Sequence, residues 1–204
     1  MLATLSRPAL TSAYDAAAGT WQDTVARLGY PGAYAHLLAQ VPVPQNARVL
    51  DVGCGPGTFS RVLLDRQPTA QIDLLDPSAA MLGEAQRRLG RCARPILGGV
   101  GTDRTVGGYD VVLCAHVTEH LPDPEGALFW MAGQLTPGGV LLAAISRPHW
   151  CTALLRWKWG HRAFAPQDAL AMLRKAGFAD ARHIPFRAGP PSRTSAGYIA
   201  RSSA

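Results

Sequence analysis

The stretch Val49-Leu50-Asp51-Val52-Gly53-Cys54-Gly55-Pro56-Gly57-Thr58 most constrains how this chain can fold. An aliphatic run fit for a buried strand leads straight into three closely spaced glycines, and a helix-forming segment follows. Strand, tight turn and helix make the first crossover of a doubly wound parallel sheet, and that crossover borders the ligand crevice of such sheets. Glycine permits turns closed to other residues and lets a backbone approach its neighbours closely. The spacing here is GxGxG. A dinucleotide fingerprint places its third glycine one position later, so a nicotinamide oxidoreductase is disfavoured and another nucleotide-like ligand is implied.

The flanking sequence agrees with an α/β alternation. Strands are predicted at Arg48–Val52, Gln71–Leu75, Pro95–Leu97, Asp110–Ala115 and Gly139–Ile145. Helices are predicted at Thr58–Arg66, Ser78–Leu89, Pro124–Leu135 and Pro166–Ala176, the last capped by Gly177. Arg182–Phe186 and Tyr198–Ala200 read as a closing antiparallel pair joined by Gly189-Pro190-Pro191. Before the first strand, Thr11–Ala18, Trp21–Leu28 and Ala33–Gln40 read as helices, with a break over Gly29-Tyr30-Pro31-Gly32. The expected fold class is α/β, a Rossmann-like seven-stranded mixed sheet with a helical lead-in.

The chain's 204 residues predict one domain at roughly 150 residues per domain. Within it, residues 1–45 form the lead-in and 46–146 the cofactor-binding core. Residues 147–164 form a candidate substrate cap, and 165–204 the last helix and strand pair. With 48% hydrophobic and 17% charged residues the chain can bury a sizeable core. No uncharged apolar run approaches the roughly 18 residues of a membrane helix. The first fourteen residues have no sustained apolar core, so a cytoplasmic protein without membrane contact is expected. Cys54, Cys92, Cys114 and Cys151 are too widely spaced for a CxxC metal or redox pair. The net charge of +6 suits an acidic partner, yet only Lys158 and Lys175 are lysines, so an arginine bias explains it equally well.

Five motifs in order resemble the class I S-adenosylmethionine-dependent methyltransferases. They are the Asp51–Gly57 loop, Leu75-Asp76-Pro77-Ser78 with Met81-Leu82, Tyr109-Asp110-Val111-Val112 with Glu119-His120-Leu121-Pro122-Asp123-Pro124, Leu135-Thr136-Pro137-Gly138-Gly139, and Ala176-Gly177-Phe178. The resemblance implies S-adenosyl-L-methionine as cofactor and a methyl transfer to a small molecule, expected at oxygen. It places the methionine half of the cofactor against Gly53, Cys54, Gly55 and Gly57, with Asp51 supporting the loop. Asp76, 23 residues after Gly53, would take the ribose hydroxyls, Met81 the adenine, and Pro77 and Ala115 the adjoining walls. Taken singly, Asp76 reads as a turn residue and Met81 as core; the loop makes them site residues. Where the family usually has an acidic residue for the adenine amine, this chain reads Leu97-Gly98-Gly99-Val100, with Asp103 displaced.

The segment His116-Val117-Thr118-Glu119-His120 is similar to the ExxEH metal motif of ubiquinone-pathway and Hen-type O-methyltransferases. If it forms one helical turn, His116, Glu119 and His120 share a face. With His161 they would make a ligand set of three histidines and one glutamate, suited to Zn, Fe, Co or Mn rather than Mg. The same Glu-His-Leu-Pro segment is widespread in the superfamily without metal, and then His116, His120 or His161 is expected to act as a catalytic base.

Arg147–Arg162 carries four basic residues, three tryptophans and no acid, so it can stack on a flat substrate or simply snorkel over the core. Tyr30 and Tyr34 are expected to close the pocket from the lead-in. Arg87, Arg88, Arg91 and Arg94 read as a solvated helix face. Two rivals remain: an RNA 2′-O-methyltransferase, opposed by the absence of a separate RNA-binding module, and a cofactor-binding protein that transfers no methyl group.

Overall fold

The structure, a computed structural model, describes residues 21–150 and 162–202. After a helical stretch at 21–27, the elements run α1 (Tyr30–Leu38), β1 (Arg48–Val52), α2 (Thr58–Arg66), β2 (Gln71–Asp76), α3 (Ala79–Leu89) and β3 (Ala93–Leu97). Then come β4 (Tyr109–Ala115), α4 (Pro124–Gln134), β5 (Leu135–Ser146), α5 (Pro166–Lys175), β6 (Phe178–Ile184) and β7 (Ser195–Ser202). The predicted helix Thr11–Ala18, most of the candidate cap and His161 lie outside the described residues. Among those residues, no helix is long and apolar enough to cross a membrane.

The strands form one mixed sheet in the order β3-β2-β1-β4-β5-β7-β6. The first five are parallel, and β7 runs antiparallel to both β5 and β6. Both faces are covered, which is why β1 and β4 read as continuous aliphatic runs rather than alternating ones. Successive residues point to opposite faces. Val49, Leu74, Val111, Leu113 and Leu142 pack with Leu37 of α1 and Leu63 of α2. Leu50, Val52, Leu75, Val112 and Leu141 pack with Leu128 of α4 and Leu173 of α5. The strand order reverses between β1 and β4, and their carboxyl ends frame a crevice where the glycine-rich loop stands.

Several boundaries differ from expectation. The break before α1 is confined to Gly29 (φ 86°), because Pro31 fits the first turn of a helix, where its missing N–H costs nothing. Strand β5 starts at Leu135: Leu135 pairs with Tyr109 and Val140 with Val111, so a bulge absorbs the Pro137-Gly138 turn instead of preceding the strand. Strand β6 begins directly after Gly177 (φ 94°) and ends at Ile184, before Pro185, which has no N–H for the ladder. Arg94 sits on β3 rather than on a helix face and makes a two-pronged ion pair with Asp73, at 2.7 and 2.6 Å.

Candidate functional site

The loop after β1 is held from three sides. Gly53 and Cys54 donate their N–H groups to Leu75 O (2.7 and 3.2 Å), which ties the loop to the end of β2. Asp76 Oδ2 accepts the Gly55 N–H at 2.9 Å, and Asp76 Oδ1 accepts the Ser78 N–H at 2.9 Å. Arg88, expected on a solvated face, donates from Nη1 to Pro56 O at 3.0 Å. Ser78 also caps α3 by accepting the Met81 N–H, and Met81 is buried.

Two glycines here have different reasons. At Gly53 (φ 63°) a Cβ would collide with Val117 Cγ2, so the missing side chain admits the loop after β4 rather than a ligand. At Gly55 (φ 51°) a Cβ would meet nothing within 4 Å, so this glycine opens the crevice. That open backbone beside the Asp76 carboxylate fits a nucleoside with a ribose diol. Just past the end of β3, Gly98 donates its N–H to Asp76 O at 3.1 Å, and Asp103 is exposed to solvent.

Asp51, on β1 beneath the loop, is 1% exposed, and its Oδ2 accepts the Ser60 hydroxyl at 2.6 Å. Burial pushes its pKa up to about 7; the Asp76 charge adds to the rise and the Ser60 bonds oppose it. The folded state therefore holds a proton that the unfolded chain releases near pH 4, and this contribution to stability is lost as pH rises through 7. Asp51→Asn, which can still accept from Ser60, is expected to match the parent near pH 4 and to exceed it at pH 8 by up to about 4 kcal/mol. Urea unfolding at both pH values checks this; an Asn variant less stable at pH 8 would refute it.

At the end of β4 the predicted helical turn does not form. His116 adopts a left-handed backbone (φ 58°), and only Thr118–His120 make a turn, of the 3₁₀ type. His116 and Glu119 still meet. His116 Nδ1 lies 3.1 Å from Glu119 Oε1 and 3.2 Å from Ser146 Oγ. Glu119 is 2% exposed, and its oxygens also accept the Ser146 N–H (2.8 Å) and the Thr118 hydroxyl (3.1 Å). Burial alone would raise the Glu119 pKa. The His116 bond, the charges of His116 and His120, and the Ser146 bond outweigh it and hold the pKa at about 2.

Nδ1 of His116 therefore faces a carboxylate. Its Nε2 is buried without a hydrogen-bond partner among the described residues, and the ring meets Tyr30 edge-on at 5.1 Å. Tyr30 is fixed in turn by Ser195 Oγ at 3.1 Å. Tyr34 does not line the crevice as expected. One turn further along α1, it is buried in the core and stacks on Phe59 at 4.4 Å.

The expected metal set finds no support. Among the described residues, no three His, Cys, Asp or Glu side chains are arranged to hold an ion. Glu119 points both oxygens at protein donors, the arrangement of an anchor rather than an open ligand. His120 sits in the turn with its N–H on Val117 O, and its charge reaches Glu119. Cys54 and Cys114 are buried free thiols. A cleft of about 540 Å³ between Arg48, Asp73, Arg94 and Tyr109 lies at the opposite edge of the sheet, where the strands begin.

The description of the methyltransferase domain family matches residues 21–184. The chain belongs to the class I S-adenosylmethionine-dependent methyltransferases. A trans-aconitate 2-methyltransferase of Variovorax paradoxus is 40% identical over 116 residues, 55% of this chain and 42% of that enzyme. Another, from an Azoarcus species, is 31% identical over 153 residues, 66% of this chain and 57% of that enzyme. The chain thus spans about half the length of these curated relatives. Among solved structures, a putative methyltransferase from a Haloferax volcanii complex with a methyltransferase activator superposes with a TM-score of 0.77 at 19% identity, covering 94% of this chain and 98% of that one.

In this methyltransferase domain, sequence reasoning named Asp51, Asp76 and the loop. It missed Ser60, Arg88, Ser146 and Ser195, which hold Asp51, Pro56, His116 and Tyr30. Nothing in their local sequence marks them.

Proposed function

We propose that the protein transfers the methyl group of S-adenosylmethionine to a carboxyl oxygen of a small organic acid. The observation that carries the methyl-transfer reading is the glycine loop clamped to Asp76 at the point where the sheet order reverses. Bound there, the cofactor supplies an electrophilic methyl group on a sulfonium. The chain's residues do the rest. Gly53–Gly57 and Pro77 hold the cofactor's shape, Asp76 takes the ribose hydroxyls, Met81 and Ala115 flank it, and Asp51 stiffens the loop.

The carboxyl reading draws on the relatives named as trans-aconitate methyltransferases. A carboxylate is already ionised at neutral pH, with an ordinary pKa of about 4, so no proton has to be removed from it. The protein's task is to hold oxygen, methyl carbon and sulfur in line and to keep water out.

A second reading, transfer to a hydroxyl group, is favoured by His116. With its Nδ1 proton turned to an ionised Glu119, the unpartnered Nε2 is the atom that would accept a hydroxyl proton. His120 and His161 are its alternates for this base.

Labelled methyl donor with mixtures of small acids and hydroxyl compounds separates the readings. A carboxyl product is a methyl ester and releases labelled methanol in mild alkali, whereas an ether keeps its label. Alkali-labile product is the expected result, and alkali-stable product would establish the hydroxyl reading. No product with either mixture would overturn both.

A further inference from the structure

Among the described residues the sheet has two edge strands, β3 and β6. An unpaired edge offers backbone N–H and C=O groups to any passing strand, and folded proteins blunt such edges with prolines, short length or local cover. Strand β3 is blunted in all three ways. It has five residues with Pro95 in the middle, its Ala93 N–H is bonded to Gly90 O, and its Leu97 O accepts Arg104 Nη1 at 3.1 Å. Strand β6 runs for seven residues, Phe178–Ile184, without a proline.

The outer side of β6 is open. Ala179, Asp180 and Arg182 are exposed, while β7 takes the inner edge and α5 packs against the strand. Side chains alternate along a strand, so Asp180 and Arg182 share one face, and Ala181 points to the other, where it packs with the α4 and α5 side of the core. The two charges lie 3.7 Å apart with about half of each side chain in water. An exposed pair of this kind adds little to the stability of a single copy.

Charges on an edge discourage pairing with most strands. This edge is complementary to itself. When β6 of a second copy lies antiparallel beside it with Ala181 on the two-fold axis, Asp180 of each copy stands directly opposite Arg182 of the other. The four charges then form a rectangle in which every side joins opposite signs, an arrangement that stabilises antiparallel pairs. Moving the axis by one residue sets Asp180 against Asp180, or Arg182 against Arg182, which destabilises the pair. The charge pattern thus selects both the occupant and the register.

We propose that the protein forms a two-fold symmetric dimer through β6, which joins two seven-stranded sheets into one. Strand β6 is parallel to β5, because both run antiparallel to β7. The parallel strands of the second copy therefore point the opposite way, and the two glycine-loop crevices open at opposite ends of the joined sheet. Neither crevice borrows a residue from the other copy, so each binds its cofactor independently. A strand edge buries less surface than a standard interface, so the dimer is reversible in the micromolar range.

Sedimentation of the full chain over a concentration series from about 1 to 300 µM tests the dimer. The parent is expected to dimerise within that range. Asp180→Arg and Arg182→Asp each replace opposite pairs by like ones and are expected to weaken the dimer about tenfold or more. An equimolar mixture of the two variants brings opposite charges face to face again, and it is expected to recover the dimer that each variant alone has lost. A parent that stays monomeric, a dimer insensitive to both substitutions, or a mixture no better than its components would overturn the β6 interface. Affinity for S-adenosylhomocysteine is expected to be the same in the parent and both variants. Its loss along with the dimer would overturn the independence of the two crevices.

Discussion

Gly53→Ala is expected to be among the most damaging single-methyl additions in this protein. Two independent effects act together. The residue sits at φ 63°, where a non-glycine backbone costs about 1–2 kcal/mol. The new methyl would also collide with Val117, and overpacking of this kind costs about 1–3 kcal/mol more. Relief would push the loop after β4 outward, carrying His116 with it. The expected outcome is a loss of about 2–5 kcal/mol in urea unfolding, together with weakened binding of S-adenosylhomocysteine. Gly55→Ala gives the contrast. Its methyl has open space, so stability should fall by only about 1–2 kcal/mol, yet the methyl would enter the crevice and weaken cofactor binding. If Gly53→Ala unfolds like the parent, the packing argument at Val117 is wrong.

The second large effect is on Asp76. Its carboxylate joins Gly55 and Ser78 through two backbone hydrogen bonds, so it organises both edges of the crevice besides its proposed role at the ribose. Hydrogen bonds to charged groups contribute about 1.5–3 kcal/mol each, and removal leaves the donors unsatisfied. Asp76→Ala is therefore expected to weaken S-adenosylhomocysteine binding by about a hundredfold or more. His116→Ala, whose side chain faces Glu119, Ser146 and Tyr30 rather than the glycine loop, should leave that affinity within a few-fold of the parent while cutting turnover. Titration calorimetry on both variants, alongside turnover, checks the division of roles. Equal losses of affinity would refute it.

The contrast between these residues shows what a sequence can announce. Arg48–Val52 and Thr58–Arg66 have their predicted bounds because glycines punctuate the strand and helix between them. Strands β1, β4 and β5 were legible because a sheet covered on both faces demands near-continuous aliphatic runs, whereas β6 (Phe178–Ile184) is largely exposed and carries no such run. The errors fall where tertiary pairing overrules local signals. The Pro137-Gly138 turn reads as a boundary but is a bulge inside β5, because Leu135 still finds Tyr109. Arg182–Phe186 reads as a strand, yet the chain pairs earlier, from Phe178 to Ile184.

The place of Asp76 beside the glycine loop was legible because it is set by chain distance from that loop. The His116–Glu119 meeting was foreseen on the wrong geometry, since a left-handed residue and a 3₁₀ turn bring the pair together instead of an α-helical turn. Ser146 and Arg88 were invisible as site residues, because their roles come from neighbours 30 or more positions away.

The central claim is that the first crossover of the sheet holds an adenosyl sulfonium. A crystal structure of the protein with S-adenosylhomocysteine tests it most directly. The account predicts the nucleoside beside Gly53–Gly57 with its ribose hydroxyls on Asp76. An empty crevice under saturating ligand, or the ligand bound elsewhere on the domain, would contradict it.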